Sequence, residues 1–216
     1  ELLKSRIVFS KRADGTSGSS TTIRAGESIE LLDLLYGLML PSGNDGAVAL
    51  AEWYGSRKTS SDESDKQPHK RDPLEVFIEA MNTQAKELGM NHTSFRNPHG
   101  MTHPEHKSSC EDLVILTREF MRWPLIMQIA STRQYAAVVE GQEGYKRRLE
   151  WTNTNSLLDR EGYLGIKTGT TDAAGACLVS LSDRRGRKTI VVVLGSSGSA
   201  ARYSDSRNLH RWAWGR

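Results

Sequence analysis

The alternation of apolar and polar residues toward the end of the chain predicts a small antiparallel sheet followed by a helix. Three apolar runs bounded by glycine or charged residues predict strands at 162–168, 176–182 and 188–195. Residues 183–187, Asp-Arg-Arg-Gly-Arg, supply the hairpin turn between the second and third strands. Residues 197–214 then form a helix, whose predicted core contacts are Tyr203, Leu209 and Trp212.

Two apolar helices are predicted earlier in the chain, with a tight corner between them. Residues 31–40 are apolar nearly all round, as expected of a buried helix, and Pro41 ends it. A second helix follows the corner and is expected to end at Gly55. Ser42 and Asn44 lie on this corner, where small polar residues ordinarily serve as turn and cap residues. A corner held between two core helices is also a rigid place to present a hydroxyl and an amide.

The segment 56–71 is rich in charged and small polar residues, with five basic and three acidic side chains, so it is interpreted as a solvated surface insertion. Another helix is predicted directly after it, with Asp72 as its cap and Pro73 at its first position. Gly89 is expected to end that helix, and Ser109 to cap the next one. Apart from the insertion, residues 1–216 are predicted to form a single domain of mixed helices and strands.

Composition and charge are those of an ordinary globular chain and argue against several functional classes. Of the 216 residues, 37% are hydrophobic and 25% are charged, and the formal net charge is +3. The sequence has no apolar run of about 18 residues, so it contains no candidate membrane span. The basic residues are scattered, so nothing indicates a nucleic acid as partner. The sequence opens on Glu1 rather than methionine, so the lack of a targeting segment carries no information.

The cysteines and histidines indicate neither a metal site nor a disulfide framework. The two cysteines, Cys110 and Cys177, do not have the spacing of metal ligands. Four histidines crowd one stretch: His92, His99, His103 and His106. Their spacing is not a known ligand pattern, and proline and glycine residues interrupt any helix that could align them. No cofactor is therefore predicted.

The stretch with the most chemical character lies at the end of the first predicted strand. Lys167, Thr168 and Gly169 place a cation, a hydroxyl and a close-approach glycine on a strand edge. Lys-Thr-Gly in that setting is one of three elements of the penicillin-recognising serine enzymes. A three-residue match is common by chance, and alone it also fits a charged residue and a glycine bend at a strand end. The Lys-Thr-Gly match becomes informative only together with the Pro-Ser-Gly-Asn corner at residues 41–44.

Together, the corner and the Lys-Thr-Gly strand resemble the low-molecular-mass penicillin-binding proteins, and among them the serine D-Ala-D-Ala carboxypeptidases. The similarity extends over nearly the whole chain, through strings that follow the family's order. They are Gly-Thr-Ser-Gly-Ser-Ser at 15–20, Leu-Leu-Tyr-Gly-Leu-Met-Leu-Pro-Ser-Gly-Asn at 34–44, Phe-Arg-Asn-Pro-His-Gly-Met at 95–101 and Asn-Thr-Asn-Ser-Leu-Leu at 153–158. The resemblance implies the α/β (α+β) fold of β-lactamases and transpeptidases, in which helices flank an antiparallel sheet.

The resemblance also implies which residues take part in acyl transfer. Ser42 resembles the family's proton shuttle to the leaving nitrogen, and Asn44 the amide that holds a lysine amine and the substrate amide. Lys167 is expected to keep the local potential positive. By repulsion between like charges, it also helps to keep the nucleophile's lysine neutral.

Four further positions are expected to bind the substrate. Thr168 offers a hydroxyl to the terminal carboxylate, and Gly169 lets the substrate backbone lie along the strand. The N–H of Thr170 is expected to donate to the oxyanion of the tetrahedral intermediate. Arg202 matches a family arginine that binds the substrate carboxylate, and a solvated arginine at a helix start explains it equally well.

One element of the family pattern is absent from the 216 residues. The family's nucleophile is the serine of a Ser-x-x-Lys motif, and no such spacing occurs in this sequence. The motif is expected on an upstream segment that also carries the family's first two strands, or on a separate N-terminal chain. The N-terminal strands would then be missing from the sheet, so the resemblance predicts an unpaired strand edge, an open core face and low stability of these residues alone.

The resemblance therefore predicts a serine-type carboxypeptidase that acts on peptidoglycan stem peptides, is inhibited by β-lactams and is exported to the periplasm or cell envelope. A β-lactamase is the nearest enzymatic alternative, although Ser-Gly-Asn rather than Ser-Asp-Asn argues against the class A enzymes. The other alternative is a non-catalytic module that keeps the groove without the nucleophile. The absent Ser-x-x-Lys favours it, whereas the intact Ser42, Asn44 and Lys-Thr-Gly disfavour it.

Overall fold

The computed structural model describes residues 1–61 and 71–215. Its α-helices are α1 (Lys11–Asp14), α2 (Leu31–Met39), α3 (Asn44–Ser61), α4 (Pro73–Glu87), α5 (Cys110–Phe120), α6 (Pro124–Ser131) and α7 (Ser199–Trp214). Its strands are β1 (Arg6–Val8), β2 (Ser28–Glu30), β3 (Gln134–Glu140), β4 (Lys146–Thr152), β5 (Tyr163–Thr171), β6 (Gly175–Arg184) and β7 (Arg187–Ser196). None of these helices combines the length and the apolar character needed to cross a bilayer.

The elements form two compact units. The first unit comprises Glu1–Gln84, Phe95–His99 and Gln134–Thr152. The second unit comprises Ala85–Ser94, Gly100–Arg133 and Asn153–Arg216. Each unit has its own antiparallel sheet, with strand order β1-β2-β3-β4 in the first and β5-β6-β7 in the second.

The first unit is built on the antiparallel hairpin of β3 and β4. Along β3 and β4, buried and exposed residues alternate. Ala137 and Val139 on β3 are buried, as are Leu149 and Trp151 on β4, and Ala137 pairs directly with Leu149. α2 packs beside this sheet, and the Tyr135 ring stacks on Tyr36 with a centroid separation of 3.7 Å. No residue of α2 is exposed, which confirms the prediction of a buried helix.

α3 is longer than predicted, because Gly55 does not end it. The helix continues through Gly55 to Ser61, so the first part of the predicted 56–71 insertion is helical. A Cβ atom at Gly55 would stand 2.0 Å from the carbonyl oxygen of Pro73. The glycine therefore permits the start of α4 to approach α3, and it is not a helix cap. Residues 62–70 of the predicted insertion lie outside the described residues.

The second unit contains the three strands and the hairpin turn that the sequence predicted. β5, β6 and β7 cover the predicted runs, and Asp183 Oδ1 accepts a hydrogen bond from the Gly186 N–H within the turn.

The predicted capping residues of two helices, α4 and α5, are also confirmed. The Asp72 carboxylate accepts from the Leu74 N–H, and the Ser109 hydroxyl accepts from the Asp112 N–H. Both cysteines carry free thiols.

α7 contradicts the predicted core contacts of the last helix. Leu209 and Trp212 are 45% and 59% exposed, and Tyr203 is half-buried. The buried residues of α7 are instead Arg202, Ser206 and His210. The helix turns a polar face inward because the β6 residues beneath it include two serines that pair with this face.

β7 is an edge strand of the second sheet. Among the described residues it pairs with β6 alone, so the expected unpaired edge is present. The associated low stability and open core face stay predictions.

Candidate active site

The corner between α2 and α3 holds Ser42 in an unusual backbone conformation. Ser42 has a φ of 63°, in the left-handed region that non-glycine residues rarely adopt. The next residue cannot carry a side chain, because a Cβ at Gly43 would stand 2.4 Å from the Thr21 methyl group. The Gly43 N–H donates to the Gly37 carbonyl at 3.1 Å. Backbone strain of about 1–3 kcal/mol of this kind persists only where the surroundings fix it, and it clusters at functional sites.

Asn44 ties the corner to the loop that precedes β2. Its backbone N–H donates to the Ser19 carbonyl at 2.7 Å, and its side-chain Nδ2 donates to the Ser17 carbonyl at 2.9 Å. The residue is only 7% exposed. One amide therefore holds the Gly-Thr-Ser-Gly-Ser-Ser loop against the first turn of α3.

Asp45 fixes the same loop from the next position of α3. Its buried carboxylate accepts from the Thr21 N–H at 2.8 Å and from the Thr21 and Ser20 hydroxyls at 2.9 and 2.7 Å. It also accepts from the Gly46 N–H at 2.8 Å, where the helix dipole favours a negative charge. Several short hydrogen bonds to a single carboxylate make the corner rigid.

Lys167 lies on β5 in the second unit with its amine largely withdrawn from water. The Nζ donates to the Thr168 carbonyl at 2.9 Å. Burial, together with the positive charge of Arg202, lowers the pKa of Lys167 to about 8. The lysine therefore remains mostly charged at neutral pH, and it loses the charge at a pH where an exposed lysine would keep it.

Arg202 projects from the first turns of α7 onto the end of β5. Its Nη1 donates to the Gly169 carbonyl at 3.1 Å and to the Thr170 hydroxyl at 2.8 Å. The residue is 8% exposed, and within the described residues its buried Nε has no hydrogen-bond partner. An arginine so placed is not a solvated residue at a helix start, which was the alternative explanation from sequence.

The end of β5 combines a buried hydroxyl with an open backbone. Thr168 is 8% exposed, and its hydroxyl lies 2.7 Å from that of Thr154. Gly169 and Thr170 are exposed, and the space around a Cβ at Gly169 is empty of described atoms within 4 Å. Because β5 pairs only with β6 in the described chain, its other edge leaves backbone groups available to an extended ligand.

The structure thus brings together five of the seven predicted site residues within the second unit: Lys167, Thr168, Gly169, Thr170 and Arg202. Ser42 and Asn44 lie together in the first unit. Sequence reasoning missed Asp45 as the anchor of the corner, although an acidic residue at a helix start was a visible signal. It also missed Thr154, whose contact with Thr168 no local pattern could indicate.

Comparison with known proteins decides the family. A family model described as D-alanyl-D-alanine carboxypeptidase, Peptidase_S11, matches residues 71–198, which is more than half of the chain and includes β5. The chain belongs to this family of carboxypeptidases. The resemblance noted from the corner and the Lys-Thr-Gly strand is thereby confirmed.

Two curated members of the family have sequences similar to most of this chain. The D-alanyl-D-alanine carboxypeptidase of Streptomyces sp. (strain K15) is 32% identical over 198 residues, covering 91% of this chain and 65% of the relative. The carboxypeptidase DacF of Bacillus subtilis (strain 168) is 30% identical over 196 residues, covering 90% of this chain and 45% of DacF. The chain therefore spans about half to two thirds of the length of these relatives.

The family fold is also shown by solved structures. The Streptomyces K15 DD-transpeptidase superposes with a TM-score of 0.89 at 30% identity, covering 99% of this chain and 80% of that one. The DacD carboxypeptidase of Francisella tularensis superposes with a TM-score of 0.84 at 27% identity, covering 98% and 58%. The predicted mixed α/β fold of antiparallel sheets flanked by helices is confirmed.

Proposed function

We propose that this protein is a serine-type D-Ala-D-Ala carboxypeptidase, which trims peptidoglycan stem peptides through an acyl-enzyme and is acylated by β-lactams. The observation that supports the proposal most strongly is the end of β5. There, two withdrawn cations, Lys167 and Arg202, accompany an open backbone at Gly169. Such an edge suits an extended peptide that ends in a carboxylate.

In the second unit, the peptide backbone lies along Gly169 in the manner of an added strand. The hydroxyl of Thr168 and the guanidinium of Arg202 bind the terminal carboxylate. The N–H of Thr170 donates to the oxyanion that forms when the scissile carbonyl is attacked. The charge on Lys167 stabilises the developing negative charge, and the low pKa of Lys167 limits this contribution to pH values below about 8.

In the first unit, Ser42 transfers a proton to the leaving nitrogen and Asn44 orients the substrate amide. The reaction joins a serine oxygen to the carbonyl carbon of the penultimate D-Ala and breaks its amide bond. The released D-alanine takes the proton, and water then hydrolyses the ester. A rigid, strained corner suits this role because proton transfer depends on a fixed hydroxyl position.

The nucleophilic serine and its lysine are proposed to belong to a Ser-x-x-Lys segment outside these 216 residues. That segment either belongs to the same polypeptide or comes from a separate N-terminal chain. The family's relatives are bacterial, and we propose that this protein works at the cell envelope, where peptidoglycan is assembled. Its partners are then stem peptides as substrates and β-lactams as inhibitors.

Release of free D-alanine tests the proposal. The protein as its cells make it would be incubated with a diacylated tripeptide ending in D-Ala-D-Ala, and with a control peptide ending in D-Ala-L-Ala. We expect release of D-alanine from the first peptide and no release of L-alanine from the second. Lys167→Met should lower kcat/KM by about 100-fold or more, as loss of one electrostatic group in an active site does.

Lys188→Met is the matched control for that substitution. Lys188 lies at the start of β7 in the same sheet and is exposed, so its replacement should leave the rate unchanged. Absence of D-alanine release by the wild-type protein would overturn the proposal. Equal losses in both lysine variants would remove Lys167 from the reaction.

A further inference from the structure

The buried face of α7 is polar from Arg202 to His210. Arg202, Ser206 and His210 follow one another at intervals of four residues, so all three lie on one side of the helix. Ser206 and His210 are fully buried, and Arg202 is 8% exposed. Buried polar faces are retained where each group has a partner, so the partners of this face indicate its purpose.

The partners of the two inner residues lie on a single strand. His210 Nε2 is 2.9 Å from the Ser180 hydroxyl and His210 Nδ1 is 3.0 Å from the Ser182 hydroxyl. Ser180 and Ser182 alternate along β6, and both point to the face that α7 covers. The Ser206 hydroxyl lies 2.7 Å from that of Ser180. Both ring nitrogens of the histidine are therefore used to join one helix to one strand.

The outer residue of the same face reaches the candidate site. Besides Gly169 and Thr170, Arg202 Nη1 contacts the carbonyl of Cys177 at 3.4 Å. Cys177 lies on β6, three residues before Ser180. The contacts of α7 thus form one line along β6, with His210 and Ser206 at one end and Arg202 at the other. A shift of α7 along β6 would move the guanidinium away from Gly169 and Thr170.

The surroundings of His210 keep its ring neutral, as its hydrogen bonds to the two serines require. The His210 ring meets that of Tyr163 edge to face, with centroids 5.1 Å apart, and Trp214 lies 5.6 Å away. Burial among these rings lowers the pKa of His210 to about 4. The neutral ring carries one N–H, so it donates to one serine and accepts from the other.

We propose that His210, together with Ser206, is a positioning residue that sets the register of α7 on β6 and thereby holds Arg202 at the substrate carboxylate. The inference rests on the proposed function for the identity of the ligand. Its geometric part, the placement of Arg202 against Gly169 and Thr170, does not depend on that function. Neither residue touches the substrate in this proposal.

The test compares peptides ending in D-Ala-D-Ala as the free acid and as the C-terminal amide. Arg202→Leu is expected to lower the ratio of kcat/KM for acid over amide, because the carboxylate loses its partner. His210→Leu should lower the same ratio by about tenfold, and Ser206→Ala should lower it by less. Ser204→Ala, the same change on the same helix but off its buried face, should leave the ratio unchanged.

A double-mutant cycle separates positioning from general destabilisation. In the Arg202→Leu background, His210→Leu should have no further effect on the ratio. An equal loss for acid and amide in His210→Leu, or an additive loss in the double variant, would overturn the inference. Should His210→Leu fail to fold, Ser206→Ala carries the same test, since it removes only one hydroxyl.

A readout without substrate distinguishes the inference from the proposed function. Hydrogen exchange at the amides of residues 169–171 should accelerate in Arg202→Leu, and to a comparable degree in His210→Leu. Unchanged exchange at these amides in His210→Leu would overturn the inference, even if the wild type releases D-alanine. If the wild type releases none and the exchange rates rise as expected, only the proposed function fails.

Discussion

Lys167→Met is expected to make the protein more stable while it slows acylation by penicillin about 100-fold or more. The folded protein holds a charged amine in a poorly hydrated place, where its Nζ donates to the Thr168 carbonyl. Methionine has nearly the same length and volume without the charge, so it removes the desolvation penalty and keeps the packing. Active-site groups often lower the stability of a protein, so their removal raises stability while it lowers activity.

The magnitude follows from the pKa of Lys167. The value falls from an ordinary 10.5 to about 8 on folding. That difference corresponds to about 3 kcal/mol of unfolding free energy at pH 7, and partial hydration of the side chain reduces it to about 2–3 kcal/mol. The variant should therefore exceed the wild type by about 2–3 kcal/mol at pH 7.

The dependence on pH has a definite sign. Between pH 8 and 10.5 the unfolded chain binds more protons at this lysine than the folded chain does, so the wild type gains stability as the pH rises. Below pH 8 the penalty is fully present. The advantage of the variant should therefore shrink to about 1 kcal/mol at pH 9.5 and vanish above pH 10.5.

Denaturant unfolding followed by tryptophan fluorescence measures both effects. Wild type, Lys167→Met and the exposed control Lys188→Met would be compared at pH 7 and pH 9.5, with the acylation rate by penicillin measured on the same samples. A variant less stable than the wild type at pH 7 would refute the reasoning. So would a stability difference that does not depend on pH.

Three further substitutions test other parts of the structure. Gly169→Ala should change the melting temperature by no more than about 2 °C, because the added methyl group meets no described atom within 4 Å. The same methyl group would occupy the path of the bound peptide, so D-alanine release should slow at least about tenfold. A normal rate of release would contradict this. Gly55→Ala should lower the free energy of unfolding by about 1–3 kcal/mol in urea, since the methyl would stand 2.0 Å from the Pro73 oxygen, and an unchanged midpoint would contradict the close approach. Asp45→Asn should lower it by about 2 kcal/mol, because an N–H₂ group then faces donors, and an unaltered urea midpoint would argue against Asp45 as the anchor of the corner.

Local sequence patterns predicted the helices and strands whose own residues show a clear apolar pattern. α2 is apolar nearly all round, and β5, β6 and β7 alternate with clear turn residues, so their types followed from sequence. The side chains of the Lys-Thr-Gly strand were predictable for the same reason. Motif and element coincide there, whereas the burial of Lys167, the contacts of Arg202 with Gly169 and Thr170, and the contact of Thr154 with Thr168 follow from the fold.

Long-range contacts explain what the sequence did not predict. α7 reads as a helix with Leu209 and Trp212 inward, and it turns Ser206 and His210 inward because serines on β6 pair with them across 26 to 30 positions of sequence. Gly55 reads as a helix cap, and its purpose becomes visible only when Pro73 lies beside it. In both cases the deciding partner is distant in sequence, so no local pattern could reveal it.

The central claim is that this protein forms a covalent serine ester with D-Ala-D-Ala substrates and their β-lactam mimics. Labelling with a fluorescent penicillin, followed by a denaturing gel and intact mass, tests it most directly on the protein isolated from its source cells. We expect one label per molecule, on a serine outside the 216 residues, with the rate of labelling lowered about 100-fold or more in Lys167→Met. No label on the wild type would contradict the claim and favour a non-catalytic member of the family. Label on Ser42 would contradict its assignment as the proton shuttle.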